Sequence, residues 1–248
     1  MYHTILIAVL LTMASLTADA KRLDYISVVT EQSSFAYIEG GNVRGDGTEL
    51  VEAVLKEAGF KHRIRMMPWA RAYKFAYSKP NTLIYAISRT TERERDFHWL
   101  GKIMGQKYNL YRLKSRPDIA GKVLADFKKY RISGSKKGVT TQHLLHEGFK
   151  EIKQVANFEQ ELKLLLSKRV DLIVMNENSV AQTLTRYKLA ADLVEPVLNI
   201  PELSVDAYFA VGKRTPDWVV QKLKSAYRAV VDDGRYENIM IKRLKKTP

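Results

Sequence analysis

An arginine-rich segment in the first half of the chain contains the residues best suited to hold an anion. Arg93 lies within the stretch Arg89–Arg95, and the hydroxyl residues Ser88 and Thr90 lie close before it. A guanidinium is a planar, permanently charged fork that matches a carboxylate through two parallel hydrogen bonds. The same stretch also has the i,i+3 and i,i+4 spacing of ordinary surface ion pairs. On these residues alone, both a carboxylate site and a solvated surface stay open.

Trp69 is the aromatic residue most suited to stack on a ligand, because it follows Pro68 at a predicted strand-to-helix corner. An aromatic face in a cleft supplies apolar area and attracts flat or cationic groups, although a core position would fit this residue as well. Phe35 and Tyr37, in the loop after the first predicted strand, are candidates for the opposite wall or for core packing. Arg71 faces either the cleft or solvent.

Other chemistry is poorly supported. His143 and His146 share a predicted helix face with Glu147, but this pattern is more typical of a solvated helix face than of a zinc site. Cysteine is absent, which excludes disulfides, thiolate metal sites and a cysteine nucleophile. The chain has no Gly-x-Ser-x-Gly motif and no phosphate-binding loop. We therefore expect no cofactor and no metal site.

The first twenty residues predict export. An apolar run from Ile5 to Leu16 has the length of a signal-peptide core, and Ala18 and Ala20 are small residues at the two positions that a signal peptidase recognises. The run is too short to cross a bilayer as a permanent helix. We expect cleavage before Lys21 and a mature protein that is soluble in the periplasm.

The charge balance is basic, with a formal net charge of +14 at pH 7. The basic residues are spread along the chain, and they do not alternate with aromatic residues in a stripe. For an exported protein this indicates solubility and a general preference for anionic ligands or surfaces. We expect no nucleic-acid partner.

Predicted strands and helices alternate along the mature chain, which indicates an α/β fold with parallel strand pairing. Strands are predicted near residues 25–29, 64–67, 83–87, 130–133 and 170–175. Asp46 with Glu49 has the spacing of a capping box, and Thr215 before Pro216 is predicted to cap the last long helix. Two such series without a flexible linker predict two lobes joined by crossing strands, with a cleft between them.

Four segments carry a resemblance to a known family. In chain order they are Val43-Arg44-Gly45 before an amphipathic helix, Met67-Pro68-Trp69-Ala70-Arg71-Ala72-Tyr73, Ser88-Arg89-Thr90-Thr91-Glu92-Arg93, and Asp233-Gly234-Arg235-Tyr236-Glu237-Asn238-Ile239. Together they resemble the type II periplasmic solute-binding proteins of bacterial extracellular solute-binding protein family 3, which includes the polar amino-acid receptors of ABC importers. The resemblance extends over nearly all of residues 22–244.

This resemblance implies an α/β, two-lobed periplasmic-binding-protein type II fold. Its parallel-rich sheets are flanked by helices, and the ligand cleft lies between the lobes. The implied division of the chain is a signal peptide at 1–20, a first lobe formed by 21–108 plus 201–248, and a second lobe formed by 109–200.

The resemblance also implies roles for individual residues. Arg93, near a helix N-terminus, binds the ligand carboxylate; Ser88 adds a hydroxyl donor, and Thr90 caps that helix or faces the ligand. Thr140 lies where the family's second lobe offers hydroxyl and backbone N–H groups. Asn176 departs from the amino-acid receptors, which usually place a carboxylate here for the ligand's α-ammonium. An α-amino acid is therefore a first candidate for the ligand, with a weak ammonium anchor.

These expectations predict a receptor without enzymatic activity. Its two lobes close on a small anionic or zwitterionic solute that bears a carboxylate, and the monomer delivers this solute to an inner-membrane ABC permease. Two alternatives stay open. An exported lyase resembling cyclohexadienyl dehydratase would need a carboxylate in the cleft, for which Glu177 and Glu39 are the candidates. An orphan sensor would bind a ligand without an importer.

Overall fold

The computed structural model describes residues 24–204 and 206–244. The predicted signal peptide, 1–20, and its cleavage site before Lys21 lie outside the described residues. The α-helices and β-strands of the described part are, in chain order, β1 (Tyr25–Thr30), β2 (Tyr37–Glu39), β3 (Asn42–Arg44), α1 (Asp46–Glu57), β4 (Lys61–Met66), α2 (Trp69–Ser78), β5 (Thr82–Ser88), β6 (Phe97–Gly105), β7 (Tyr108–Leu113), β8 (Ile132–Ser135), α3 (Val139–His146), β9 (Ile152–Val155), α4 (Phe158–Leu166), β10 (Leu172–Asn176), α5 (Glu177–Arg186), β11 (Val194–Asn199), β12 (Asp206–Gly212), α6 (Asp217–Asp232) and α7 (Arg235–Leu244).

The first sheet has the strand order β4-β1-β5-β12-β6. The run predicted as a buried strand is β1, which is fully buried at Ile26, Val28 and Val29. β1 pairs in parallel with β4 and β5, as predicted. β12 is antiparallel to both of its neighbours, β5 and β6. The sheet is therefore parallel on one side and antiparallel on the other.

The helix α1 packs its predicted apolar face onto this sheet. Leu50, Val51, Val54 and Leu55 are fully buried in the core that the sheet shares with α6. Apolar residues at i, i+1, i+4 and i+5 form one stripe of a helix, which explains why this segment folds against a sheet. α2 packs on the opposite face of the same sheet through Ala72 and other small or aromatic residues.

The second sheet has the strand order β11-β7-β10-β8-β9. β10, β8 and β9 pair in parallel, whereas β7 and β11 are antiparallel to their neighbours. Leu162, Leu165 and Ile173 belong to the core between this sheet and its helices. We call the first sheet with α1, α2, α6 and α7 the first lobe, and the second sheet with α3, α4 and α5 the second lobe.

The chain passes between the two sheets twice. Gln106 and Lys107 join β6 of the first sheet to β7 of the second. The return path runs from β11 to β12 through a short 3₁₀ helix, Pro201–Leu203. The two connecting segments lie close together, because the backbone N–H of Tyr108, directly after the first, donates to Ser204 Oγ in the second at 3.2 Å.

Two of the predicted helix caps are wrong. Gly45, not Asp46, precedes α1, and its φ of 122° is a conformation that favours glycine. Pro216 takes the N-cap position of α6, so the helix begins at Asp217. Thr215 Oγ1 instead accepts a hydrogen bond from the backbone N–H of Asn81 at 3.1 Å. The ring of proline fixes φ near −65°, a value that fits the residue before a helix as well as its first position.

Candidate functional site

A cavity of about 90 Å³ lies between the two sheets, and both lobes line it. Six of the nine predicted site residues belong to its lining: Phe35, Trp69, Ser88, Arg93, Thr140 and Asn176. The other lining residues lie on strands and helices at the facing ends of the two sheets and in the loops that join them. This is where an open α/β sheet usually binds its ligand.

The remaining three predicted residues do not line the cavity. Thr90 occupies the N-cap position of the 3₁₀ helix Thr91–Arg93, and Arg71 is exposed on α2. Tyr37 lines a separate groove of about 640 Å³ beside α5. Glu39 and Glu177, the carboxylates considered for a lyase, line that groove as well.

Arg93 is the charged residue of the first lobe that is most firmly held in the cavity. Only 4% of its surface is exposed, and Nη1 donates to the backbone oxygen of Ser88 at 2.9 Å. The guanidinium carbon lies 5.1 Å from the ring centre of Trp69 and 5.4 Å from that of Tyr73. Burial lowers the pKa of Arg93 from its ordinary value, but an arginine in a protein keeps its charge. The cavity therefore contains a permanent cation that is largely removed from water.

The environment of Arg93 differs from the implied one in one respect. Arg93 is the last residue of a three-residue 3₁₀ helix, and no α-helix begins beside it in the described chain. The helix N-terminus at the cavity belongs to the second lobe, where Gly138 precedes α3 and Thr140 is buried in its first turn. The first N–H groups of a helix have no partner within it, and the helix dipole is positive there. Arg93 and the start of α3 thus both favour an anion.

Trp69 connects the lobes as well as lining the cavity. It is the first residue of α2, is 4% exposed, and its Nε1 donates to the backbone oxygen of Lys137 at 3.0 Å. Lys137 lies in the turn before α3 and has a φ of 61°, in the left-handed region. The indole ring of Trp69 therefore lies next to Arg93, and its hydrogen bond to Lys137 can form only when the two lobes are in contact.

A β-bulge sets the direction of the strand that ends at Ser88. In the pairing of β5 with β12, Ile87 faces Tyr208 and Tyr85 faces Phe209, so Ala86 has no opposite residue. Ala86 has a φ of 60° and lines the cavity. An extra residue of this kind bends a strand and redirects the side chains that follow. The bulge is the local reason why the end of β5 reaches the cavity.

Further contacts between the lobes lie beside the cavity. Gln182 Nε2 on α5 donates to the backbone oxygen of Ser34 at 3.0 Å. Gln32 Nε2, in the first lobe, donates to a carboxylate oxygen of Glu159 on α4. With the bond from Trp69 to the second lobe, these contacts hold the two lobes in a closed arrangement.

Asn176 is occupied by structural hydrogen bonds. Its Oδ1 accepts from the backbone N–H of Ser179 at 2.9 Å and caps α5, and its Nδ2 donates to Gln106 Oε1 at 2.9 Å. The hydroxyl of Tyr108 also donates to Gln106 Oε1, at 2.7 Å. Burial raises the pKa of Tyr108 to about 12, so this hydroxyl is a neutral donor at physiological pH. The network joins the end of β10 to the crossing segment.

Two acidic residues in the cavity were not predicted from the sequence. Glu31 follows β1 in the first lobe, and Glu161 lies on α4 in the second lobe. Glu161 is 2% exposed, and its Oε1 accepts from Ser135 Oγ at 2.5 Å. Burial raises the pKa of Glu161 to about 7. Burial, and next the charge of Glu161, raise the pKa of Glu31 to about 8.

A sequence signal for both residues existed. Glu31 comes directly after an apolar strand run, at the end of a parallel strand where ligands bind. Glu161 is one helical turn before Leu165, so it belongs to the inward face of α4. A carboxylate on an inward helix face is rarely buried without a purpose or a partner.

Within the described residues, no group of three or more His, Asp or Glu side chains is arranged to hold a metal ion. His146 Nδ1 lies 3.6 Å from Glu147 Oε1 at the surface. In the same part of the chain, none of the helices combines the length and the apolar character that crossing a bilayer requires.

Three solved structures have this architecture at low sequence identity. A histidine kinase sensor domain with similarity to periplasmic binding proteins has a TM-score of 0.77 and 18% identity, covering 88% of this chain and 95% of its own. An ancestral arginine-binding protein bound to arginine has a TM-score of 0.77 and 20% identity, covering 88% and 97%. The arginine-, lysine-, histidine-binding protein ArtJ from Geobacillus stearothermophilus has a TM-score of 0.76 and 19% identity, covering 90% and 96%.

No protein-family model matches the sequence, and no curated protein is significantly similar to it. At such identities the structural likeness establishes the fold alone. The predicted fold class is confirmed: the chain has the two-lobed α/β fold of the periplasmic binding proteins, with its cavity between the lobes.

Proposed function

We propose that this protein is a periplasmic solute receptor that captures a small solute bearing a carboxylate. The observation that carries the proposal is Arg93, a charged guanidinium buried in a cavity that both lobes line. A guanidinium removed from water is a strong partner for a carboxylate, which it binds through two parallel hydrogen bonds. The start of α3, including Thr140, offers N–H and hydroxyl groups to the same ligand from the second lobe.

Binding would favour the closed arrangement of the lobes. A ligand that contacts both Arg93 and α3 interacts more strongly with the closed form than with an open one, so it shifts the population toward closure. The proposed moving bodies are residues 21–108 with 201–248, and residues 109–200. The proposed hinge consists of the two crossings, at Gln106–Lys107 and between β11 and β12, because both are short.

The proposed partner is an inner-membrane ABC permease, to which a monomeric receptor delivers its solute. Two similar structures are described as substrate-binding proteins of amino acid ABC transporters, and this supports the importer role and membership of extracellular solute-binding family 3. Export through a cleaved signal peptide at 1–20 belongs to the same proposal. A sensor role without an importer is the alternative that the histidine kinase sensor domain supports.

A lyase on this scaffold is a second candidate because the cavity holds acidic groups suited to proton transfer. Burial gives Glu31 and Glu161 pKa values of about 8 and about 7, close to neutral pH, where general acids and bases are most effective. Incubation of the mature protein with prephenate or arogenate distinguishes the two functions. Steady turnover that Glu161→Gln abolishes would replace the receptor proposal, whereas binding without turnover supports it.

The receptor proposal is tested by removing the guanidinium. Calorimetry with a panel of carboxylates on wild type and Arg93→Ala is expected to show a loss of 2–5 kcal/mol, on the order of thirty- to several-thousand-fold in affinity. Arg95→Ala is the matched control, since the Arg95 side chain is 86% exposed and lies two residues away. Wild-type affinity in a folded Arg93→Ala variant would remove Arg93 from the site.

A further inference from the structure

The cavity contains two carboxyl groups, one from each lobe, that are incompletely paired. Glu31 Oε2 and Glu161 Oε2 are both buried, and neither has a hydrogen-bond partner among the described residues. The first oxygen of Glu161 is held by Ser135. A buried acceptor without a donor is unfavourable, so two such acceptors in one cavity call for a donor that the protein itself does not supply.

The charges of the cavity indicate what kind of donor would fit. Arg93 contributes one positive charge, whereas Glu31 and Glu161 contribute two negative charges when both are ionised. Glu161 raises the pKa of Glu31 through its charge, and Arg93 lowers it, which places Glu31 within electrostatic reach of both other groups. Two carboxylates that share a dry site favour a proton or an external cation between them.

The position that the resemblance assigns to an ammonium anchor does not provide this function. The side-chain amide of Asn176 is already hydrogen-bonded to Ser179 and Gln106, and it carries no charge. The negative charge of the second lobe enters the cavity from α4 instead, through Glu161. In the second lobe, a ligand cation would therefore be recognised by Glu161 and not by the residue at position 176.

We propose that the ligand carries an ammonium or guanidinium group in addition to its carboxylate, and that this cation binds between Glu31 and Glu161. This inference rests on the proposed receptor function, because Arg93 must hold the carboxylate at the other end. A cation in this position contacts one carboxylate of each lobe, so it adds to the preference for closure. Donors on a charged nitrogen would satisfy both unpaired oxygens.

The test uses pairs of probes that share a carboxylate and differ in the cation. Suitable pairs are L-alanine with L-lactate, γ-aminobutyrate with butyrate, and γ-guanidinobutyrate with γ-ureidobutyrate. Calorimetry on the mature protein at pH 7.5 is expected to show, in at least one pair, binding of the cationic member that is about tenfold tighter or more, as for hydrogen bonds to charged groups.

Variants assign this preference to the two carboxylates. Glu31→Gln and Glu161→Gln are expected to reduce the ratio within the pair to about threefold or less, as loss of the charged partner predicts. Glu151→Gln removes a charge from an exposed residue of the second lobe, to which Glu161 also belongs, and is expected to behave as wild type. Thermal unfolding of each variant shows whether it is folded.

The outcomes separate the two proposals. Equal binding within every pair, lost in Arg93→Ala, would overturn the cation site and leave the receptor proposal standing. A preference for the cationic member that survives in Arg93→Ala would keep the cation site and remove the carboxylate anchor. If no cationic member binds, or if both glutamine variants keep the wild-type preference, the cation site is refuted.

Discussion

Replacing Glu161 by Gln is expected to increase stability at alkaline pH and to leave it nearly unchanged at acidic pH. Glu161 is buried on α4 with a pKa of about 7, whereas the ordinary value is 4.5. Between these two values the folded protein retains a proton that the unfolded chain has released. The free energy of unfolding of the wild type therefore falls as the pH rises from about 4.5 to about 7.

The structure sets the size of this effect. One pH unit of difference between the folded and unfolded pKa values corresponds to 1.36 kcal/mol, so Glu161 lowers the free energy of unfolding by about 3 kcal/mol above pH 7. Glutamine has nearly the same shape, and its amide oxygen can still accept the hydrogen bond from Ser135 Oγ. Below pH 4.5 both side chains are neutral, and the two proteins should have similar stability.

Urea unfolding of the ligand-free protein from pH 4.5 to 8.5 measures the difference. The curves of wild type and Glu161→Gln are expected to separate as the pH rises and to run parallel again above pH 8. Glu151→Gln, at an exposed position, should follow the wild type throughout. If Glu161→Gln also follows the wild type at every pH, Glu161 is ionised in contact with water and the reasoning from burial fails.

Two further predictions concern the contacts around the cavity. Trp69→Phe removes the hydrogen bond to the backbone oxygen of Lys137 and is expected to weaken carboxylate binding by about 1 kcal/mol, near fivefold. Calorimetry measures the affinity, with Trp218→Phe at an exposed position as the control. An unchanged affinity in Trp69→Phe would contradict the prediction. Asn176→Asp keeps the cap of α5 but brings two acceptors together at Gln106, so urea unfolding at pH 7 should show a loss of about 1–3 kcal/mol; equal or greater stability would show that this network is not as described.

The elements that the sequence predicts well are those with a strong local pattern. α1 has an apolar stripe at helical spacing, and β1 and β10 are mainly apolar runs that turn out to be interior strands. Several of the strands that were missed have mixed polarity. β11, for example, contains Glu195 and Pro196 at an edge of its sheet, where only one neighbour is needed. Its pairing with β7 is a long-range contact that no local window can reveal.

The candidate site divides in the same way. By residue type alone, Arg93 could have been a surface arginine and Trp69 a core residue, so the family resemblance was needed to select them. Glu31 and Glu161 are ordinary acidic residues by type. They become unusual only when the two lobes meet and exclude water, and this property belongs to the tertiary structure. Asn176 lines the cavity, but its partner Gln106 comes from the crossing segment and could not be inferred locally.

The place of β12 in the first sheet has a consequence for folding during synthesis and export. β12 lies between β5 and β6, although one hundred residues separate the end of β6 from its start along the chain. Until residues 206–212 are available, β5 and β6 each present an unpaired edge, which is the kind of surface that aggregates. The second sheet, in contrast, is continuous in sequence from β7 to β11 and can form first. The second lobe should therefore acquire protection from hydrogen exchange early in refolding, and the first lobe should acquire it late, because sheets with distant partners form slowly.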